Sequence, residues 1–259
     1  MSVSHPLTAA QMLNKVPAVT LAFWVIKIMS TTVGETGADY LAVHVGLGTA
    51  ATGGIMAALL IAALFMQMRS RQYVPWIYWL TVVLVSVVGT QITDALTDRL
   101  EISLYVSTAA FAILLAATFT VWYGSERTLS IHTIGTTRRE LFYWTAILFT
   151  FALGTAAGDL ATEALGLGFN IGVLVFAGLI AAVYAAYRLC ANAVLTFWLA
   201  YILTRPLGAS LGDLLSQSRT YGGLGLGTVG TSVAFLAVIV VLVTMLSFRT
   251  DRPRAADGR

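Results

Sequence analysis

The sequence predicts an all-α polytopic membrane protein, with eight transmembrane helices built as four parallel two-helix repeats. Three observations predict it. Of 259 residues, 58% are hydrophobic and only 10% are charged, whereas soluble domains average roughly 45–50% and 25%. The apolar residues fall into eight runs of about twenty, the length of a helix that crosses a bilayer. The motif Trp-x9-Gly-x4-Asp occurs four times: Trp24, Gly34, Asp39; Trp79, Gly89, Asp94; Trp144, Gly154, Asp159; Trp198, Gly208, Asp213.

The first span, 17–38, follows a polar start with no charged segment ahead of an apolar one, so no cleaved signal peptide is expected. It carries Lys27 and Glu35. The second, 47–66, contains no Asp, Glu, Lys or Arg. The third, 74–95, begins after Arg69 and Arg71 and ends at Asp94. The fourth, 102–123, is again free of charge. A polar stretch from about Tyr123 to Glu140 then separates the two halves and is too short to fold alone. The fifth span, 141–162, contains Asp159, with Glu163 just beyond it. The sixth, 169–187, is uncharged, and the seventh, 192–213, holds Arg205, Pro206 and Asp213. Pro206 predicts a kink beside Arg205. The glycine-rich segment Tyr221–Thr231 follows no strand and reads as a loop into the eighth span, 227–248. Residues 249–259 form a tail.

The tryptophans are 55, 65 and 54 residues apart, so each repeat holds two spans and all four run in the same direction. The repeats cover approximately 16–68, 71–125, 137–187 and 191–248, a single membrane domain. Parallel repeats pack about an axis along the membrane normal, with pseudo-fourfold or two-plus-two symmetry. Four tandem two-helix repeats, each with a tryptophan, resemble a bacterial membrane-protein family known only as a repeat of unknown function. That resemblance implies the architecture and a bacterial inner-membrane location, and it brings no catalytic residues.

Eleven of the fifteen basic residues lie at one set of ends: Lys15, Arg69, Arg71, Arg127, Arg138, Arg139, Arg188, Arg249, Arg252, Arg254 and Arg259. Short loops rich in Lys and Arg stay inside, so both termini are expected in the cytoplasm. Eight of the twelve acidic residues lie at or near the opposite ends.

At about 100° per residue, Trp24, Lys27, Thr31, Gly34, Glu35 and Asp39 share one face of the first helix. The equivalent face is polar or small in the other odd spans. Polar groups are costly in hydrocarbon, so these faces are expected to turn inward, with the uncharged even spans outside. Asp39, Asp94, Asp159 and Asp213 then fall at one depth near the outer end. Two readings stay open for them. A carboxylate ring attracts cations, and hard divalent ions such as Mg²⁺, Mn²⁺ or Ca²⁺ suit oxygen ligands. Alternatively, each Asp fastens the loop that follows it. Glu35 lies one turn inside this level. The tryptophans are either interfacial anchors or, since they share the polar face, aromatic groups facing the path.

Lys27, Glu35 and Arg205 each stand alone at their repeat position, opposite Val82, Ile147 and Tyr201; Thr90, Thr155 and Ala209; and Thr31, Ser86 and Phe151. Ionisable residues inside a span point to function. With Glu163 they are the expected gating or coupling group. The three histidines and the single Cys190 make no metal-ligand spacing, and no hydrolase or metalloprotease motif is present, so an enzyme is not expected. Nor is a nucleic-acid partner. The expected partners are the bilayer and a small cation, with a divalent metal ion first. The alternative is a scaffold or sensor in which the repeated Trp, Gly and Asp are structural.

Overall fold

The computed structural model describes residues 14–40 and 48–251; of residues 38, 39, 48, 49, 98 and 249–251 only the backbone is described. Among these residues there are eight long helices and no strand. They are α1 (Leu21–Asp39), α2 (Gly48–Arg69), α3 (Pro75–Asp94), α4 (Leu104–Glu126), α5 (Thr137–Asp159), α6 (Gly168–Arg188), α7 (Ala193–Ser216) and α8 (Thr228–Asp251). One π-helical turn, Ala95–Arg99, continues α3, and another, Leu160–Ala164, continues α5. All eight expected spans are helices.

Local chemistry sets the starts. Thr20 accepts from the Phe23 amide, Ser103 from Val106, Thr136 from Arg139, and Asn192 from Val194 and Leu195. Each satisfies amides that have no partner inside the helix. Pro75 opens α3, where its missing N–H costs nothing. At the end of α7 the glycine-rich segment folds back. The amides of Leu224, Gly225, Leu226 and Gly227 donate to the carbonyls of Leu214, Gln217, Leu215 and Ser216. That path needs positive φ at Gly222, Gly225 and Gly227, which glycine adopts without strain.

Among the described residues, seven helices are long and apolar enough to cross a membrane. The remaining one, α1, is diluted by Lys27, Glu35 and Asp39. Half to two-thirds of the positions of α3, α5 and α7 are buried (50–67%), against 11–22% for α2, α4, α6 and α8. The odd helices form a closed ring, α1 on α3, α3 on α5, α5 on α7 and α7 on α1. Each even helix packs chiefly on the odd helix that follows it in sequence, and α8 packs on α1. The outward apolar surface is therefore carried by the uncharged helices.

The repeated glycines make this inner ring possible. A Cβ at Gly34 would overlap Ser86, one at Gly89 would press on Phe151, one at Gly154 on Arg205, and one at Gly208 on Thr31. Ser86, Phe151, Arg205 and Thr31 each stand seven residues after their own tryptophan. Every inner helix thus offers a glycine to the same position of the next one, and the chain of contacts closes. Pro206 does not interrupt α7. Its ring packs in the room left by Gly154 and Gly158 on α5.

Candidate functional site: a buried arginine at the meeting of four helices

Arg205 is fully buried in the middle of α7. Its Nη2 donates to Glu35 Oε2 at 2.9 Å and to Thr155 Oγ1 at 2.7 Å, and it also contacts Thr90 Oγ1. Its Nη1 donates to the Thr31 carbonyl at 2.9 Å. The Thr90 hydroxyl reaches the same Glu35 oxygen at 3.4 Å. One guanidinium therefore ties α7 to α1, α3 and α5. Glu35, Thr90 and Thr155 each stand eleven residues after their tryptophan, and the fourth such residue is Ala209. Two of the residues that are alone at their repeat positions, Glu35 and Arg205, have been brought together. Gly154 supplies the space for the stem of Arg205.

Lys27 is also fully buried, but it does not join this cluster. Its Nζ lies 4.0 Å from the centre of the Phe151 ring and 4.4 Å from that of Tyr201, and has no hydrogen-bond partner among the described residues. The Arg205 guanidinium sits 5.7 Å from the same Phe151 ring. The expected network is thus divided: Glu35 belongs to Arg205, and Lys27 occupies an aromatic cage nearer the basic end.

Below the cage the tryptophans turn inward. Trp79, Trp144 and Trp198 are buried, so these three are not lipid-facing anchors, and Trp24 is half-buried. Each packs against the aromatic residue that precedes the previous repeat's tryptophan. The pairs are Phe23 with Trp79 (5.6 Å between ring centres), Tyr78 with Trp144 (5.6 Å), Tyr143 with Trp198 (6.3 Å) and Phe197 with Trp24 (5.7 Å). Tyr78 and Tyr143 share a hydrogen bond of 2.5 Å. This closed ring of aromatics fills the centre at the basic end. The tryptophans face the middle of the inner ring and pack there against one another's neighbours.

The acidic end is different. Asp94, Asp159 and Asp213 are half-buried, and Asp159 lies within electrostatic reach of Asp94, Asp213, Glu35 and Glu163. Glu163 is exposed on the π-helical turn after α5. Asp39 ends α1, and its side chain lies outside the described residues. Neither the Asp94 nor the Asp159 side chain caps the π-helical turn that starts after it. Among the described residues no three His, Cys, Asp or Glu side chains come close enough to share a metal ion.

The sequence reading missed Thr90 and Thr155 as partners of Arg205. Their signal was present, since they occupy the Glu35 position of their own repeats. It also missed the aromatic residue before each tryptophan, which is Phe, Tyr, Tyr and Phe in the four repeats. A third omission is the buried pair of Lys15 and Glu140, 2.6 Å apart, with Gln67 Nε2 donating to Glu140 at 3.2 Å and Lys15 Nζ to the Met68 carbonyl at 3.0 Å. This clasp joins the start of the chain to α2 and α5 at the basic end. Neither partner lies inside a repeat motif.

A ring of polar-faced helices sheathed by apolar ones, with charge at its centre, defines a polytopic membrane protein built from internal repeats. The sequence profile of a family described as a repeat of unknown function matches residues 22–73, 77–128, 142–190 and 196–252. The chain belongs to this family. No curated protein and no solved structure matches it.

Proposed function

We propose that the protein moves a small cation across a bacterial inner membrane, with both termini in the cytoplasm and α1 as an eighth span. The four repeats are then related by pseudo-fourfold symmetry about the membrane normal. The observation that carries the reading is the pairing of fully buried Arg205 with Glu35 where the four inner helices meet. Charge at this depth is costly and marks ion paths and coupling sites in membrane proteins. It is also where the repeats differ most from one another, as a selective site requires.

The described geometry corresponds to a closed state. The acidic outer end gathers cations, and its carboxylates favour a hard divalent metal ion such as Mg²⁺, Mn²⁺ or Ca²⁺. Since no three of the described ligands converge, the ion keeps much of its water there. It then competes with Arg205 for Glu35, alone or together with a proton. Release of Arg205 loosens the bond that ties α7 to the other three inner helices. Lys27 and the aromatic ring oppose cation leakage toward the basic end until the helices move. Hydrolytic or redox chemistry forms no part of this reading.

A second reading is favoured by the filled aromatic centre. Two cavities lie on the flank of the bundle, one of about 450 Å³ between α4 and α5 and one of about 820 Å³ beside α1, α6 and α7. A scaffold or sensor would pack its axis in this way permanently. Flux into proteoliposomes separates the two. Mn²⁺, Mg²⁺ and Ca²⁺ uptake would be followed with an enclosed indicator for the wild type and for Glu35→Gln. Transport gives uptake of at least one ion that falls at least tenfold in the variant. Folded wild-type protein that passes none of the three supports the scaffold.

A further inference from the structure

The cavity of about 820 Å³ is a groove walled by α1, α6 and α7 and by Leu129–His132 of the loop before α5. Trp24 and Ile28 form one wall, Val183, Tyr184 and Tyr187 the other, and Ala200 lies on its floor. The same place elsewhere in the ring is filled. There α4 sets Trp122 and Phe119 against Trp198, at 5.9 and 4.9 Å between ring centres, and Trp122 is fully buried. On α6, by contrast, Tyr184 is 58% and Tyr187 50% exposed, and Trp24 beneath them is only half-covered. The gap thus sets the junction of α6 and α1 apart from that of α4 and α7.

The floor from Ala193 to Thr204 runs along α7 for about 16 Å. That is about half of the roughly 30 Å hydrocarbon core, the depth of one leaflet. At the basic end the groove has a charged rim. Exposed Arg188 donates from Nη1 to the Tyr184 hydroxyl at 3.2 Å, which places its guanidinium beside the wall. Guanidinium groups recognise phosphate oxygens through paired, charge-assisted hydrogen bonds. Basic pockets between helices on the cytoplasmic side suit anionic head groups.

We infer that this groove is a binding site for one anionic phospholipid, with an acyl chain against Trp24 and Ala200 and the phosphate on Arg188. The inference uses the membrane placement of the helices and does not depend on transport. The test is native mass spectrometry of the purified full chain with palmitoyl-oleoyl phosphatidylglycerol or the phosphatidylcholine of the same chains. One phosphatidylglycerol per protein is expected to survive detergent removal, with phosphatidylcholine, whose phosphate is offset by its choline, retained about fivefold less. Arg188→Ala should weaken phosphatidylglycerol retention on the order of fivefold, the worth of one basic residue at a membrane surface. Ala200→Trp, which fills the floor, should abolish it. Both residues lie outside the buried core, so unchanged melting without lipid controls for folding. Equal retention of both lipids, or retention unaffected by Arg188→Ala and Ala200→Trp, would overturn the inference. So would a dimer that Ala200→Trp disrupts, because a second copy would then occupy the groove.

Discussion

Replacing Glu35 with Gln tests the centre of the molecule most sharply. The substitution keeps the shape of the side chain and removes its charge. Arg205, with no exposure at all, then retains the Thr31 carbonyl and the Thr90 and Thr155 hydroxyls but loses its ion-pair partner among the described residues. Removing one partner of a buried pair costs about 3–5 kcal/mol, because the remaining charge is left uncompensated. For a chain of this size each kcal/mol lowers Tm by about 2–4 °C, so a fall of roughly 6–20 °C is expected. Thermal unfolding in mild detergent, followed by the loss of monodisperse protein, measures it. Arg205→Gln should cost a comparable amount. The double variant should fall short of the sum by about 0.5–3 kcal/mol, since the two residues share one interaction. A Glu35→Gln variant melting within 2 °C (roughly 1 kcal/mol) of the wild type would refute the reasoning, as would strict additivity.

Gly208→Ala places a methyl group on the Thr31 side chain and 3.2 Å from the Ile28 carbonyl, and should cost about 1–3 kcal/mol by thermal unfolding. Gly230→Ala, whose Cβ meets nothing within 4 Å, should be neutral or stabilising by up to about 1 kcal/mol in the same assay. Lys15→Met strands buried Glu140 beside Gln67 alone and should cost about 3 kcal/mol, while Lys15→Met with Glu140→Leu should recover most of it. Burial pushes the Tyr73 hydroxyl up from its ordinary range, against the smaller opposing effect of the bond it accepts from Trp79. The unfolded chain ionises its tyrosines near pH 10 while folded Tyr73 keeps its proton. Its contribution is therefore complete below about pH 10 and lost as pH rises further, which melting curves from pH 8 to 11 would record with Tyr73→Phe as the control.

The architecture was legible because lipid imposes a strong rule on sequence. Uncharged runs become outer helices, polar faces turn inward, and the Trp-Gly-Asp register gives the inner ring its common depth. Repetition also marks deviation, which is why Lys27, Glu35 and Arg205 stood out before any contact was known. Their partners were less legible. A helical face fixes direction and depth but not which neighbour lies across the interface. Lys27 and Glu35 share a face of α1, yet Phe151 and Tyr201 enclose the first while Arg205 takes the second. Pro206 is a similar case: the sequence marks the proline but not that Gly154 and Gly158 of α5 lie across from its ring. The Lys15–Glu140 clasp joins residues 125 apart that belong to no motif, so no periodicity announces it. The groove beside Trp24 is a difference in packing between similar repeats, which appears only in three dimensions.

The central claim is that the buried centre opens to water in a working cycle, and thiol accessibility at Thr155 measures this directly. The single cysteine, exposed Cys190, would first be replaced by Ser. Thr155→Cys then puts the only thiol beside the Arg205 guanidinium. Its rate of labelling by a small, water-soluble methanethiosulfonate would be followed in liposomes, with and without Mn²⁺, Mg²⁺ or Ca²⁺ and a pH gradient. The account predicts slow labelling at rest and at least tenfold faster labelling when a transported cation is present. A thiol that stays unlabelled in folded protein under every cation and pH condition would contradict it, and would leave Arg205 as a permanent fastening of four helices.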